Sequence, residues 1–311
     1  MKRMVSMILA LLMLAALLSG CGDQTAEPDG KLRIVTTVFP LYDWTKNLLG
    51  DRADEVSLKL LLADGVDMHS FQPSVGDMVT VSDCDLLIYV GGESDEWIAD
   101  ALAERKNKDM IALDLLEVLG ERALTEELSE GMEGEAEDTP DEHIWLSLKN
   151  AELLCAAIRD ALIRLDGEHS RSYEAAFAVY DAKLRQLDAA YQAAVDAAAG
   201  NTLLFADRFP FRYLTEDYGL KYYAAFAGCS AETEASFATV VFLAGKIDEL
   251  GLPAVCVIEN SDGKLARTVI DNTSARDLPI LTLHSMQGAA GSGTYLSLME
   301  QNLQAIKEAL G

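Results

Sequence analysis

The sequence of 311 residues has few positive charges, few histidines and no closely spaced pair of cysteines. Lysine and arginine total 25 against 51 aspartates and glutamates, which gives a net charge of −26. This charge repels nucleic acid and attracts cations, so we expect no nucleic-acid partner. The five cysteines include no C-x-x-C pair, and a disulfide between Cys229 and Cys256 stays open for an exported protein. After residue 20 no apolar run is long enough to cross a membrane.

The first 20 residues have the pattern of a signal peptide. Lys2 and Arg3 precede an apolar stretch that ends in small residues before Cys21. The tetrapeptide LSGC resembles the lipobox of bacterial lipoproteins, in which cleavage leaves a lipidated cysteine as the first residue. We therefore expect an extracytoplasmic protein that Cys21 anchors by lipid to the bacterial cell membrane, with residues 21–31 as a tether. The alternative is an uncleaved anchor helix.

Strand and helix patterns alternate along the rest of the chain. Apolar runs at 32–38, 55–62 and 85–92 predict strands with helices between them, which favours a parallel sheet. Over 171–199 apolar residues recur at spacings of four and three with no glycine or proline, which predicts one long helix. The alternation then resumes. We predict an α/β protein whose lobes, 32–168 and 201–311, are joined by one long rigid helix (169–200), with a ligand cleft between the lobes.

An acidic segment interrupts the first lobe. Nine of the 17 residues from 126 to 142 are acidic and none is basic. Such a composition cannot collapse, so it predicts a mobile loop. A solvated surface loop and a cation-collecting loop are both open interpretations.

Three of the four histidines follow strands or loops on the side of an α/β sheet where ligands bind. His69 lies in a loop after the strand at 55–62, His143 follows the acidic segment, and His284 follows the strand at 280–283. Imidazoles from separate loops are suitable ligands for zinc and related ions. His169, just before the long helix, is predicted to be a surface residue.

Several motifs, in order, resemble the solute-binding lipoproteins of bacterial zinc and manganese ABC importers. The resemblance covers residues 21–311. Its motifs are FPLYD at 39–43, DMHSFQPS at 67–74, CDLLIYVGG at 84–92, DEHIWLSL at 141–148, FRYLTEDYGL at 211–220 and LHSM at 283–286.

The resemblance implies a metal ion clamped between the lobes, with His69 and His143 as ligands from the first lobe. By direct count the family's third ligand falls on Arg208, which stays protonated and cannot bind a cation, so its neighbour Asp207 is nominated. His284 takes the place of the family's aspartate. Three imidazoles and one carboxylate favour Zn²⁺ over Mn²⁺. The substitutes for Asp207 are Glu232, Glu234, Glu259 or a water.

The resemblance implies capture of Zn²⁺ as transported ligand and its delivery to an ABC permease, by a protein that we expect to be a monomer. A full set of protein ligands leaves no position for water activation, so we expect no enzymatic activity. The alternatives are a manganese-specific receptor of the same type, a lipid-anchored metallohydrolase with an open fourth position, and a surface adhesin.

Overall fold

The computed structural model describes residues 31–62, 65–134, 139–230, 234–287 and 293–311. Residues Leu32–Gly311 form one compact unit. The predicted signal peptide, Cys21 and residues 22–30 of the tether lie outside the described ranges. Within those ranges, the helices are all too short or too polar to cross a membrane.

The first lobe contains a parallel four-stranded sheet in the order β2-β1-β3-β4. Helices and short 3-10 turns connect its strands. Helix α2 begins with a reciprocal capping box between Ser74 and Asp77. The elements are β1 (Arg33–Thr36), α1 (Phe39–Leu49), β2 (Ser57–Leu60), α2 (Val75–Asp83), β3 (Leu86–Tyr89), α3 (Trp97–Ala103), β4 (Ile111–Asp114), α4 (Leu115–Leu119) and α5 (Leu148–Leu165).

The second lobe repeats the architecture with a parallel sheet in the order β6-β5-β7-β8. The register of β5 against β6 shifts between Phe205 and Arg208, at the end of β5 that faces the cleft. The elements are β5 (Thr202–Phe209), α7 (Arg212–Tyr218), β6 (Lys221–Ala227), α8 (Phe237–Leu250), β7 (Val255–Ile258), α9 (Lys264–Asp271), β8 (Ile280–Leu283) and α10 (Tyr295–Leu310).

Helix α6 (Ser170–Ala197) joins the two sheets and confirms the long helix that the apolar spacing predicts. It buries Tyr173, Tyr180 and Tyr191 on one face. The Tyr191 hydroxyl donates to the Met299 carbonyl at 2.6 Å, which ties α6 to α10. One core cluster contains side chains from both lobes and from this helix. The predicted fold class, two parallel-sheet α/β lobes joined by a long helix, is confirmed; the domain limits stay predictions.

The acidic segment differs from the solvated loop that its composition predicts. Residues 135–138 lie outside the described part, but residues on either side make specific contacts. Asp141 and Glu142 are buried, at 2% and 3% exposure. The Glu133 backbone N–H donates to the Ala225 carbonyl of β6 at 2.8 Å, and its carboxylate accepts the Ser236 N–H at 2.6 Å. The segment 126–134 is therefore a strap that runs from the first lobe to the edge of the second sheet.

Candidate metal centre

His69 is presented by a 3-10 turn, Met68–Ser70, that follows β2. Asp67 caps this turn, because its Oδ1 accepts the His69 backbone N–H at 3.0 Å. The His69 Nδ1 lies 3.0 Å from the Ser94 Oγ. That hydroxyl donates to Glu142 Oε2 at 2.5 Å, so it accepts from Nδ1–H of the imidazole. The remaining ring nitrogen, Nε2, therefore carries a lone pair.

His143 is fully buried and held by its neighbour Asp141. The Asp141 Oδ1 accepts both the His143 backbone N–H, at 2.8 Å, and its Nδ1–H, at 2.9 Å. A carboxylate on one ring nitrogen fixes the tautomer and leaves the other nitrogen as a lone-pair donor. His143 Nε2 is thus available to bind a cation.

The two lone-pair nitrogens face each other: His69 Nε2 and His143 Nε2 are 3.3 Å apart. Two nitrogens bound at 2.0–2.1 Å to a tetrahedral zinc ion lie about 3.3 Å apart. Both imidazoles also have the outer partners, a carboxylate or a carboxylate through serine, that metal-binding histidines typically have. This spacing and tautomer pattern is suited to a divalent ion between the rings.

The environment keeps His69 unprotonated. Burial, followed by the neighbouring His143 and opposed by Asp67, lowers the pKa of His69 to about 3. A neutral imidazole is the form that binds metal, so protons do not compete for this nitrogen near neutral pH.

A thiol and an amide from the second lobe approach the histidine pair. Across the described ranges, one group of three or more histidine, cysteine or carboxylate side chains has metal-binding spacing: His69, His143 and Cys229, whose ligand atoms all lie within 4.8 Å of one another. The Gln287 amide lies 2.6 Å from His143 Nε2. A cavity of about 820 Å³ reaches this site at Gln287; Asp67, Asp207 and Arg208 also line it, whereas the two histidines and Cys229 do not.

Comparison with known proteins agrees with this geometry. Residues 34–309 match the family model described as ZnuA, the periplasmic component A of a zinc-uptake complex. The chain belongs to the ZnuA family.

Named relatives of this ZnuA-family chain are metal-binding proteins of bacteria. It is 31% identical over 310 residues to the zinc-binding lipoprotein AdcA of Streptococcus pneumoniae, covering 98% of this chain and 60% of AdcA. It is 28% identical over 312 residues to the high-affinity zinc uptake system protein ZnuA of Bacillus subtilis, covering 94% of each. The Zn(II)-bound ZnuA-like domain of S. pneumoniae AdcA superposes with a TM-score of 0.73 at 28% identity, over 90% of this chain and 99% of that domain. The chain thus spans about 60% of the length of AdcA.

The structure gives other contacts to the second-lobe ligands predicted for this ZnuA-family chain. Neither Asp207 nor His284 belongs to the group with metal-binding spacing. The Asp207 carboxylate accepts the Arg208 N–H at 2.8 Å and the Ile258 N–H at 3.4 Å. His284 has its backbone N–H and carbonyl bonded to the Asn302 amide. Their roles as ligands stay predictions.

The structure also describes two of the three carboxylates that could substitute for Asp207 as a ligand. Glu259 accepts the Ser285 N–H at 2.6 Å, the Ser285 hydroxyl at 2.7 Å and the Met286 N–H at 2.9 Å, so its oxygens are used within the lobe. Glu234 lines the cavity, whereas Glu232 lies outside the described residues. His169 is bonded to Asp166 at the start of α6, as expected of a surface residue.

Sequence reasoning did not nominate Cys229 or Gln287 as residues of this ZnuA-family site. Cys229 follows β6 in a short GCS stretch, and Gln287 lies three residues after His284. The LHSM motif lies just before Gln287 in the same loop, and the role of its His284 as a ligand stays a prediction. Cys229 and Cys256 are both free thiols, so the structure contains no disulfide between them.

Proposed function

We propose that this protein captures Zn²⁺ outside the cytoplasm and delivers it to an ABC permease. The observation that carries the proposal is the 3.3 Å separation of two Nε2 atoms whose rings are both fixed through Nδ1. Membership of the ZnuA family and the Zn(II)-bound relative support zinc as the ion. His69 and His143 are the first ligands, and Asp207 and His284 stay the predicted ligands from the second lobe.

Capture requires little rearrangement in the first lobe. Both imidazoles already have the tautomer that zinc needs, because Asp141 and the Ser94–Glu142 pair hold the Nδ1 protons. The ion enters where the Gln287 amide contacts His143. Turning that amide brings its oxygen to the same place, which is an additional neutral donor. The net charge of −26 favours the approach of cations.

The proposal includes the placement of the protein in the cell. Cys21 carries the lipid that anchors it to the membrane, and a monomer meets the permease directly. Capture with protein ligands on all sides also favours a binding protein over an enzyme, because hydrolysis needs an open position for water. Manganese is the less favoured cargo, since it prefers oxygen ligands over imidazole.

The test is metal affinity of the purified protein after removal of metal by a chelator. Zn²⁺ and Mn²⁺ are titrated in competition with a chromogenic chelator, for wild type, His143→Ala and the control His169→Ala. We expect one zinc ion per chain, bound more tightly than manganese. His143→Ala should weaken zinc binding by more than about 100-fold, beyond the cost of losing an outer partner, and His169→Ala should leave it unchanged. Weak zinc binding by wild type, or an unaffected His143→Ala, would overturn the proposal.

A further inference from the structure

The histidine pair supplies two ligands, and a zinc ion in a protein site is usually held by four groups. Among the residues that the structure describes, Cys229 is the one histidine, cysteine or carboxylate whose ligand atom lies within 4.8 Å of those of both imidazoles. We infer that Cys229 is the third ligand of this site and binds the ion as a thiolate. This inference rests on the metal capture proposed above and goes further, because it assigns a nitrogen–sulfur site that prefers zinc and other thiophilic ions.

The backbone of the second lobe brings Cys229 against the first-lobe histidine. Strand β6 ends at Ala227, and Gly228 follows. A Cβ atom at Gly228 would lie 2.9 Å from the Phe209 carbonyl oxygen and 3.0 Å from His143 Cε1. These distances are too short for any residue with a side chain, so glycine is what allows the chain to pass this close to the imidazole. The next residue then carries its thiol into the site.

The acidic strap holds the cysteine from the other side. The Cys229 backbone N–H donates to Glu126 Oε1 at 2.9 Å. Glu126 is the first residue of the acidic segment, whose last residue, Glu142, holds His69 through Ser94. The two ends of the segment therefore support two different members of the ligand group.

Arg208 connects the cysteine loop to the His69 loop. Its Nη1 donates to the Ser230 carbonyl at 3.4 Å, and its Nη2 pairs with Asp67 Oδ2 at 2.7 Å. The other carboxylate oxygen of Asp67 accepts the His69 backbone N–H. Arginine cannot bind a cation, so the residue at the position where the resemblance implies a ligand acts instead as a positioning residue. It ties together the loops on both sides of the ion.

Binding of the ion replaces the proton of the Cys229 thiol. The thiol S–H bond breaks, its proton leaves to solvent, and a sulfur–metal bond forms in exchange for a water on the ion. No oxidant or reductant is needed. A thiolate beside two imidazoles suits Zn²⁺, Co²⁺ or Cd²⁺ and disfavours Mn²⁺, which prefers oxygen donors.

Co²⁺ is the probe for the test, because a cobalt–thiolate bond gives a near-ultraviolet charge-transfer band that imidazole and carboxylate ligands do not give. The metal-free protein is titrated with Co²⁺ and then with Zn²⁺ in competition. Wild type and the control Cys84→Ser, which alters a buried thiol outside the ligand group, should both show the band. Cys229→Ser should lose the band and bind zinc more weakly by roughly 100-fold or more, beyond the loss of an outer partner. Circular dichroism checks that the variant is folded.

The outcomes separate this inference from the proposed function. Tight binding of cobalt and zinc without a charge-transfer band, or with equal affinity in Cys229→Ser, would overturn the role of Cys229 and leave metal capture intact. Loss of affinity in Asp207→Asn or His284→Ala, with no loss in Cys229→Ser, would return the third ligand to those residues. Failure of the wild-type protein to bind either metal would contradict the proposed capture of Zn²⁺.

Arg208→Gln tests the positioning role of Arg208. Two quantities are compared, the metal affinity and the charge-transfer intensity per bound cobalt ion, and general destabilisation does not change the second. The variant should keep the charge-transfer intensity per bound cobalt ion, because the ligands are unchanged. Its affinity should fall, because the two loops are no longer tied. Unchanged affinity, or loss of the band per bound ion, would contradict the positioning role.

Discussion

The two lobes bring polar side chains to the same cleft but use them differently. In the first lobe, His69 and His143 each have Nδ1 held by a neighbour and Nε2 directed toward the other ring. In the second lobe, Asp207 and Glu259 both accept backbone N–H groups of their own lobe. The two rings of the first lobe thus direct lone pairs toward each other, whereas the two carboxylates of the second lobe also hold backbone groups of their own lobe.

This difference also explains which second-lobe groups approach the histidines. Cys229 and Gln287 lie in the loops after β6 and β8, beyond the ends of the strands. Asp207 lies within β5, where its carboxylate reaches the backbone of the adjacent β7. The loops after β6 and β8 therefore approach the first lobe more closely than a side chain within β5 does.

Asp141→Asn tests the first-lobe half of the comparison. The asparagine keeps the shape of the side chain and loses the charge that orients the His143 ring through its Nδ1–H. We expect zinc affinity to fall by about 10–100-fold, the usual effect of losing a carboxylate partner of a metal-binding histidine. The measurement is zinc competition with a chromogenic chelator.

Asp207→Asn tests the second-lobe half of the comparison. The Asp207 carboxylate accepts the Arg208 and Ile258 N–H groups, and it is also a predicted ligand, because two N–H groups leave lone pairs on its oxygens. We therefore expect zinc affinity to fall by roughly 100-fold or more, which exceeds the effect of losing an outer partner. Unchanged affinity would mean that this carboxylate only holds backbone groups of its own lobe.

Glu259→Gln tests whether this second-lobe carboxylate stabilises the folded structure. Glu259 accepts two N–H groups and one hydroxyl from Ser285 and Met286. Met286 has φ of +61°, a left-handed conformation that is costly for a residue with a side chain. Glutamine offers one acceptor oxygen in place of two, so we expect the free energy of unfolding to fall by about 1–3 kcal/mol. Urea unfolding of the metal-free protein measures it.

The same variant can also contradict the role of Glu259 as a support of the loop after β8. If Glu259→Gln keeps its stability in urea but loses zinc affinity, Glu259 is a ligand and not a support of the β8 loop. Glu249→Gln, which changes an exposed carboxylate paired with Lys246 on α8, is the control for a general effect of charge.

The sequence predicted those parts of the molecule that depend on local pattern. The apolar spacing over 171–199 predicted α6 because one helix face must be buried along its whole length. Neither β4 nor α5 was predicted from the sequence; β4 has only four residues, of which one is exposed and three are partly buried. His69 and His143 were nominated together because each follows a strand or loop that ends at the cleft; the structure places their Nε2 atoms 3.3 Å apart, and their role as ligands stays a prediction. Cys229 was not nominated, since its approach depends on Arg208 and Glu126, which are distant in sequence, as well as on the adjacent Gly228.

The smallest effect on stability is expected for Glu133, which lies in the strap of residues 126–134. Glu133 accepts the Ser236 N–H and the Thr239 hydroxyl at the N-terminus of α8. The Thr239 hydrogen bond, followed by Ser236 and opposed by slight burial, lowers the pKa of Glu133 below its ordinary value of 4.5. A lowered pKa means that the stabilisation is present above pH 4.5 and is lost as the pH falls through the lower value in the folded protein.

Glu133→Gln should therefore reduce the free energy of unfolding by about 0.3–1 kcal/mol at pH 7, the range for a charge at a helix N-terminus. The difference from wild type should shrink as the pH falls below 4.5, because wild-type Glu133 then loses its charge as well. Urea unfolding at both pH values measures it. Glu130→Gln is the control, since that carboxylate is largely exposed and lies 3.9 Å from Lys246. Equal stability of Glu133→Gln and wild type at pH 7 would mean that the strap is held by its backbone bond to β6 and not by its charge.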